Sequence, residues 1–210
     1  MKDSFRPKIF RLKARTALRG KWGMSALIFF VYFVIAILVQ LLVSVIPFGS
    51  IAASILFSSV IGWGVYFLFL DVSNGDDAKL DGMFEPFKNY GRYVGGTALT
   101  FLYTFLWMLL LIVPGIIKSY SYSQTPLLMR ENPELGAEQA IQLSMKMMKG
   151  HKWELFLLDL SFIGWALLCI PTLFIGYYWL GPYIITARAE FYKELKKEWE
   201  SRQELTEASA

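Results

Sequence analysis

Gly115-Ile116-Ile117-Lys118-Ser119-Tyr120-Ser121-Tyr122-Ser123-Gln124-Thr125-Pro126-Leu127-Leu128-Met129-Arg130 is the stretch on which the architecture turns. As a membrane crossing it is short and polar; as a loop it leaves the chain with one crossing fewer. The flanking charges decide between the two. All Lys and Arg residues except Lys118 fall in four blocks, at residues 2–21, 79–92, 130–152 and 188–202. Basic residues beside membrane spans stay on the cytoplasmic side. If residues 115–130 were a loop and the N-terminus cytoplasmic, Lys118, Arg130, Lys146, Lys149, Lys152 and the whole last block would be exported. If residues 115–130 cross, both blocks return inside and Lys118 alone stays out. Six spans are therefore expected. The stretch reaches only about 24 Å as a helix, short of the ~30 Å hydrocarbon core. Snorkelling by Lys118 and local thinning absorb that mismatch.

Composition agrees with a lipid solvent. The chain is 55% apolar and 17% aromatic, with only 18% charged residues. Soluble domains average about 45–50% apolar and about 25% charged. Apolar runs at about 23–46, 50–70, 94–113, 115–130, 153–170 and 172–190 predict an all-α, polytopic transmembrane helical bundle built as three hairpins. It forms a single domain over 1–210, with a basic N-terminal segment at 1–22. Outer turns are expected at Ile46-Pro47-Phe48-Gly49, at Pro114-Gly115 and at Pro171, since proline and glycine suit such corners. On the cytoplasmic side, Ala137, Ala140, Ile141, Ser144 and Met148 share one helical face. The tail 191–210 repeats this with Phe191, Leu195 and Trp199. Both read as amphipathic helices on the membrane or under the bundle. Arg19-Gly20-Lys21-Trp22 and Lys149-Gly150-His151-Lys152-Trp153 hint at a repeat in which each hairpin has a short lead-in, with Phe84–Tyr93 as the third.

The net charge of +4 is spread beside the spans instead of gathered in one patch, which argues against nucleic acid. It fits anionic lipid headgroups as partners, through the cytoplasmic Lys and Arg residues. Another copy or a different membrane protein is a further candidate partner.

Asp159 is the first candidate for chemistry. It lies about six residues into the fifth run, where an ionisable group is costly unless it faces protein or water. Arg188, at similar depth in the sixth run, is its natural partner. The pair reads either as a relay or substrate contact, or as a structural lock between two helices. Lys118, with Tyr120, Tyr122 and Gln124, reads either as the lining of a polar cavity or as a cation snorkelling outward. Ser50, Ser54, Ser58 and Gly62 recur every four residues, the small-residue spacing that lets helices approach closely. His151 and Cys169 are the only residues of their types, so neither a metal cluster nor an intrachain disulfide is expected. No phosphate-binding loop, dinucleotide fingerprint or nucleophile elbow is present, so no cofactor and no enzyme activity is expected.

Val113-Pro114-Gly115-Ile116-Ile117-Lys118, Tyr120-Ser121-Tyr122, Ala140-Ile141-Gln142-Leu143-Ser144, Met148-Lys149-Gly150-His151-Lys152-Trp153, Leu158-Asp159-Leu160-Ser161-Phe162-Ile163-Gly164-Trp165 and Pro182-Tyr183 carry a resemblance. Together they resemble the integral membrane family labelled domain of unknown function 975, found in bacteria and mostly Gram-positive ones. The resemblance implies a multi-pass protein of the bacterial cytoplasmic membrane, and it supplies no activity, substrate or catalytic residue. With both termini cytoplasmic and a nearly bare outer face, the sequence favours a non-enzymatic accessory or scaffold acting on lipid or a membrane complex. The rival is a small transporter or channel whose path is lined by Asp159, Arg188, Lys118, Gln40 and the Ser/Tyr-rich fourth run.

Overall fold

The computed structural model describes residues 5–44 and 57–208, and all the regular structure among them is helical. In chain order the elements are α1 (Pro7–Ala17), α2 (Trp22–Val43), α3 (Ser59–Asn74), a 3-10 helix (Leu80–Asn89), α4 (Tyr90–Leu110), α5 (Ile112–Tyr122), α6 (Thr125–Glu131), α7 (Ala137–Met147), α8 (Lys152–Cys169) and α9 (Tyr177–Ala208). Among the described residues, two stretches are long and apolar enough to cross a membrane: Trp22–Val43, of mean hydropathy 2.9, and Leu80–Leu110, of mean hydropathy 1.4. Within the protein, only 17% and 11% of their apolar windows are buried. A helix that is apolar all round needs protein or lipid on every side, and here neighbouring helices supply little of that cover.

Two of the helix entries share one local design. Pro7 stands at the first position of α1, where the missing N–H is not needed. Phe10 and Ala14, one turn apart, are the buried face of that helix. The chain then turns at Gly20, with φ of 80°, before Lys21 and Trp22 open α2. After α7 it turns in the same way at Gly150, with φ of 97°, before His151 and Lys152 open α8. A Cβ is disfavoured in that left-handed region. The two Gly-Lys-Trp-like stretches of the sequence are thus one structural motif. The 3-10 helix takes the corresponding place before α4, without such a glycine.

Long-range contacts gather one set of helix ends together. Lys21 Nζ donates to Gly75 O at 2.9 Å, tying the start of α2 to the end of α3. Arg92 Nη2 donates to Asn132 O and Leu135 O, both at 2.8 Å, so the chain after α6 comes back to where α4 began. Lys193 Nζ reaches Ser73 O at 2.7 Å, and Tyr192 Oη donates to Glu131 Oε2 at 2.6 Å. Burial, and then the Glu131 carboxylate, hold the Tyr192 phenol above its ordinary pKa. Around this end sits the main core, including Phe10, Phe67, Leu127, Met147, Phe191 and Leu195. Gly64 of α3 lies against the Met83 carbonyl so closely that any side chain there would collide with backbone. At the other end Leu41 and Leu42 of α2, Leu109 and Leu110 of α4, and Leu167 and Leu168 of α8 are exposed.

The helices depart from the expected runs in three places. Residues 115–130 are not one helix. The turn from α4 to α5 is made by Leu111 alone, in extended conformation, and Pro114 and Gly115 fall inside the first turn of α5. Pro114 is tolerated at the third helical position, where an N–H would have no intrahelical acceptor, and Gly115 N makes the first helical bond, to Leu111 O at 3.1 Å. The chain breaks again at Ser123-Gln124, and Pro126 helps to restart it as α6. The last helix starts at Tyr177, not Thr172, after a turn in which Leu173 and Phe174 adopt positive φ. It passes Gly181-Pro182 without interruption and runs on to Ala208. The expected tail helix is therefore its continuation. Its apolar face meets protein: Phe191 lies 5.3 Å from Phe10 and 5.5 Å from Phe5, ring centre to ring centre. The first outer turn, with Ser50 and Ser54, lies outside the described residues.

Candidate functional site

Asp159 and Arg188 meet as expected. Asp159 is one turn beyond Leu155 on the inward face of α8, and Arg188 sits on α9 between the buried Ala187 and Ala189. Arg188 Nε donates to Asp159 Oδ1 at 2.8 Å and Nη2 donates to Oδ2 at 2.6 Å. Two parallel bonds to one carboxylate fix the guanidinium plane. Tyr120 Oη of α5 donates to the same Oδ2 at 3.0 Å, so three helices converge on one carboxylate.

The Arg188 side of the pair opens onto a cavity. Arg188 and Tyr120 line a cavity of about 680 Å3 between α3, α5, α8 and α9. Ser58, Ser59, Ser119 and Ser123 supply hydroxyls to its wall, with Tyr66 and Gln124. Although enclosed by helices, the Arg188 side chain keeps 42% of its surface accessible, against 17% for Asp159. Among the described residues its Nη1 has no hydrogen-bond acceptor. Gln124 is 1% exposed. Its Nε2 donates to Ser123 Oγ at 2.9 Å, while its Oε1 is buried without a partner. Buried polar groups are nearly always paired; this oxygen is an exception, closed off within the protein and not open to the cavity. The cavity thus offers the guanidinium as donor and hydroxyl oxygens as acceptors, since the Ser119, Ser123 and Tyr120 hydroxyls already donate to Ile116 O, Tyr120 O and Asp159. The Arg188–Asp159 pair leaves it without net charge from those two residues.

The other sequence candidates fall elsewhere. Lys118 does not join Asp159. Its Nζ lies over the Trp107 ring at 4.7 Å, and it lines a separate pocket with Tyr122, Glu138 and Gln142. The amphipathic helix α7 thus flanks Lys118, where the sequence put it on the outer face. Tyr122 is 4% exposed and packs 6.3 Å from Tyr103. Gln40 is exposed near the C-terminal end of α2 and does not line the cavity. Ser58 and Gly62 face the cavity, and a Cβ on Gly62 would come no nearer than 4.0 Å to the Tyr32 hydroxyl. Among the described residues no group of three His, Cys, Asp or Glu side chains is placed to hold a metal ion.

Residues 97–199 match the family described as a protein of unknown function, DUF975. Through that segment, the chain belongs to the DUF975 family. The DUF975 segment begins at Thr97, whose hydroxyl accepts from Trp63 Nε1 at 2.8 Å, and takes in Tyr120, Gln124, Asp159 and Arg188. Ser58, Gly62 and Tyr66 complete the cavity from outside it. No curated protein and no solved structure matches the chain.

Two features went unread in the sequence. Tyr66 continues the four-residue stripe of Ser58 and Gly62, and that spacing was the signal that places it on the same wall. Arg130, counted only as a topological charge, is a clamp. Its Nε and Nη2 donate to Glu85 at 2.9 and 2.8 Å, and Nη1 and Nη2 donate to Asp71 at 2.8 Å each. Nη1 also reaches Phe67 O at 3.2 Å, so all five guanidinium N–H groups are used. The guanidinium lies 5.0 Å from the centre of the Phe67 ring as well.

Proposed function

We propose that this chain is a multi-pass protein of the bacterial cytoplasmic membrane that binds a small polar solute beside Arg188 and moves it across. The observation that carries this reading is the hydroxyl-lined cavity reaching the Arg188–Asp159 pair. Six crossings, with α5 and α6 as a broken fourth one and both termini cytoplasmic, are supported by the return of Asn132 and Leu135 to Arg92. A broken helix inside a membrane is tolerated where it lines a cavity, and Ser123 and Gln124 at the break do so. The volume lies within the roughly 300–1,000 Å3 of small-molecule sites. Because Asp159 neutralises Arg188, a neutral or zwitterionic solute suits the cavity better than a full anion. Such a solute offers acceptor oxygens to Arg188 and donors to the Ser119 and Ser123 hydroxyl oxygens. An accessory or scaffold role has no use for a polar cavity at this depth, and a purely structural lock would be closed around.

The test is counterflow of radiolabelled alanine, glycine betaine and glycerol in proteoliposomes. Saturable flux of at least one, reduced about tenfold or more in Arg188→Gln, is expected, since a lost charge-assisted bond is worth about 1.5–3 kcal/mol. Lack of flux for all three, or equal flux in the variant, would overturn the reading and return the scaffold role to first place.

A further inference from the structure

A second concave surface lies away from this cavity, between the N-terminal helix, the C-terminal half of α8 and the first turns of α9. It encloses about 440 Å3, and its wall is built from Trp22, Trp165, Leu168, Trp179, Leu180 and Tyr183. Trp165, Leu168 and Trp179 are all strongly exposed, so the groove is open along one side. Cys169 and Thr172 close its far end, where Thr172 Oγ1 donates to Cys169 O at 2.9 Å. At the near end, Trp22 and Tyr183 stand 6.1 Å apart, ring centre to ring centre.

One charged side chain belongs to this otherwise apolar wall, and it is Arg15. Its neighbours on α1 are engaged: Arg11 Nη1 donates to Ser161 O at 3.3 Å, and Lys13 pairs with Glu194 at 3.1 Å. Arg15 is exposed and, among the described residues, has no carboxylate partner. An unpaired guanidinium at one end of an open apolar groove is complementary to an anionic head joined to a hydrocarbon chain. Guanidinium matches phosphate oxygens in pairs. Tryptophan and tyrosine, apolar bodies with one polar tip, suit the zone where head meets chain. A peptide helix laid in the same groove would bury Arg15 and would need its own carboxylate there.

We infer that this groove is a binding site for an anionic glycerophospholipid, with the phosphate at Arg15 and one acyl chain running past Trp165 and Leu168 toward Cys169. The site is independent of the solute cavity, shares no lining residue with it, and stands whether or not solute is moved. It sharpens a general attraction of basic residues to the membrane into one lipid at one place.

Photo-crosslinking of the full chain in nanodiscs of mixed phosphatidylcholine and phosphatidylglycerol tests it, with a diazirine in the acyl chain of one lipid at a time. Peptides covering 165–183 should cross-link to the phosphatidylglycerol probe about five times more than to the phosphatidylcholine probe, the factor that one basic residue near the surface supplies. The exposed face of α4, from Phe101 to Leu110, should take both probes equally and serves as the internal reference. Arg15→Gln should bring residues 165–183 to that same parity, and Arg15→Lys should keep most of the preference. Parity in the unmodified chain, a preference that survives Arg15→Gln, or cross-links only to a second copy across the groove would each overturn the assignment.

Discussion

Replacing Arg130 by Met removes every bond that joins α3, the 3-10 helix and α6 at their common end. Asp71 and Glu85 are then left facing one another across the place the guanidinium occupied. Breaking a buried ion pair costs about 3–5 kcal/mol. Both carboxylates keep 34% of their side-chain surface, while Arg130 keeps 19%. Water therefore recovers part of the loss, and about 2–3 kcal/mol is the working figure. For a chain of this length that corresponds to a Tm lower by about 5–10 °C. Arg130→Lys keeps the charge but cannot bridge both carboxylates in a plane, so about half the loss is expected. The decisive variant combines Arg130→Met with Asp71→Asn and Glu85→Gln. Removing all three charges together should restore most of the stability, because the cost lies in the stranded anions and not in the missing bonds. Thermal unfolding of detergent-solubilised protein, followed by size-exclusion chromatography, reads all of this. A Tm within about 1 °C of the parent for Arg130→Met, or a triple variant no better than the single one, would refute the reasoning.

Gly64→Ala should destabilise by about 1–3 kcal/mol, the usual cost of overpacking, because the new Cβ meets the Met83 carbonyl and not a flexible side chain; a Tm equal to the parent's would contradict the close approach. With Cys169 replaced by Ser, single cysteines at Glu138 and Leu173 should label from opposite faces of sealed cells, the first from the cytoplasm and the second from outside. Labelling of both from one side would break the six-crossing arrangement.

The pairing of Asp159 with Arg188 was legible because two ionisable groups at like depth in apolar runs have few other partners. The buried face of α7 was legible for a different reason: of the residues at helical spacing, Ala140, Ile141, Ser144 and Met148, the last just past the helix, are buried, and Ala137 is half-buried. What was not legible depends on choices between equivalent surfaces. The tail's Phe191 and Leu195 suit a membrane interface as well as a protein neighbour, and only the placement of Phe5 and Phe10 decides between them. Lys118 was assigned by counting charges, a rule that fixes sides but not which helix stands alongside. The four-residue stripe of Ser58 and Gly62 marks a face that admits something close. Periodicity cannot say whether that is another helix or a space for solute, and it was the neighbouring Tyr66, Tyr120 and Arg188 that made it a space.

The unbroken course of α9 has a mechanical consequence. Its 32 residues span about 48 Å at 1.5 Å each. Arg188 stands a third of the way along, on the hydroxyl-lined cavity, with twenty further residues of the same helix beyond it. The one ladder bond that Pro182 removes lies on the far side of Arg188, toward Tyr177. Between the cavity wall and the C-terminal turns there is thus no joint. A load taken up by the last turns, from a binding partner or from the membrane surface, is delivered as a tilt of the wall that holds Arg188. Conversely, any inward displacement of Arg188 swings the far end of the rod, where a tenth of a radian at the wall becomes a displacement of about 3 Å at the tip.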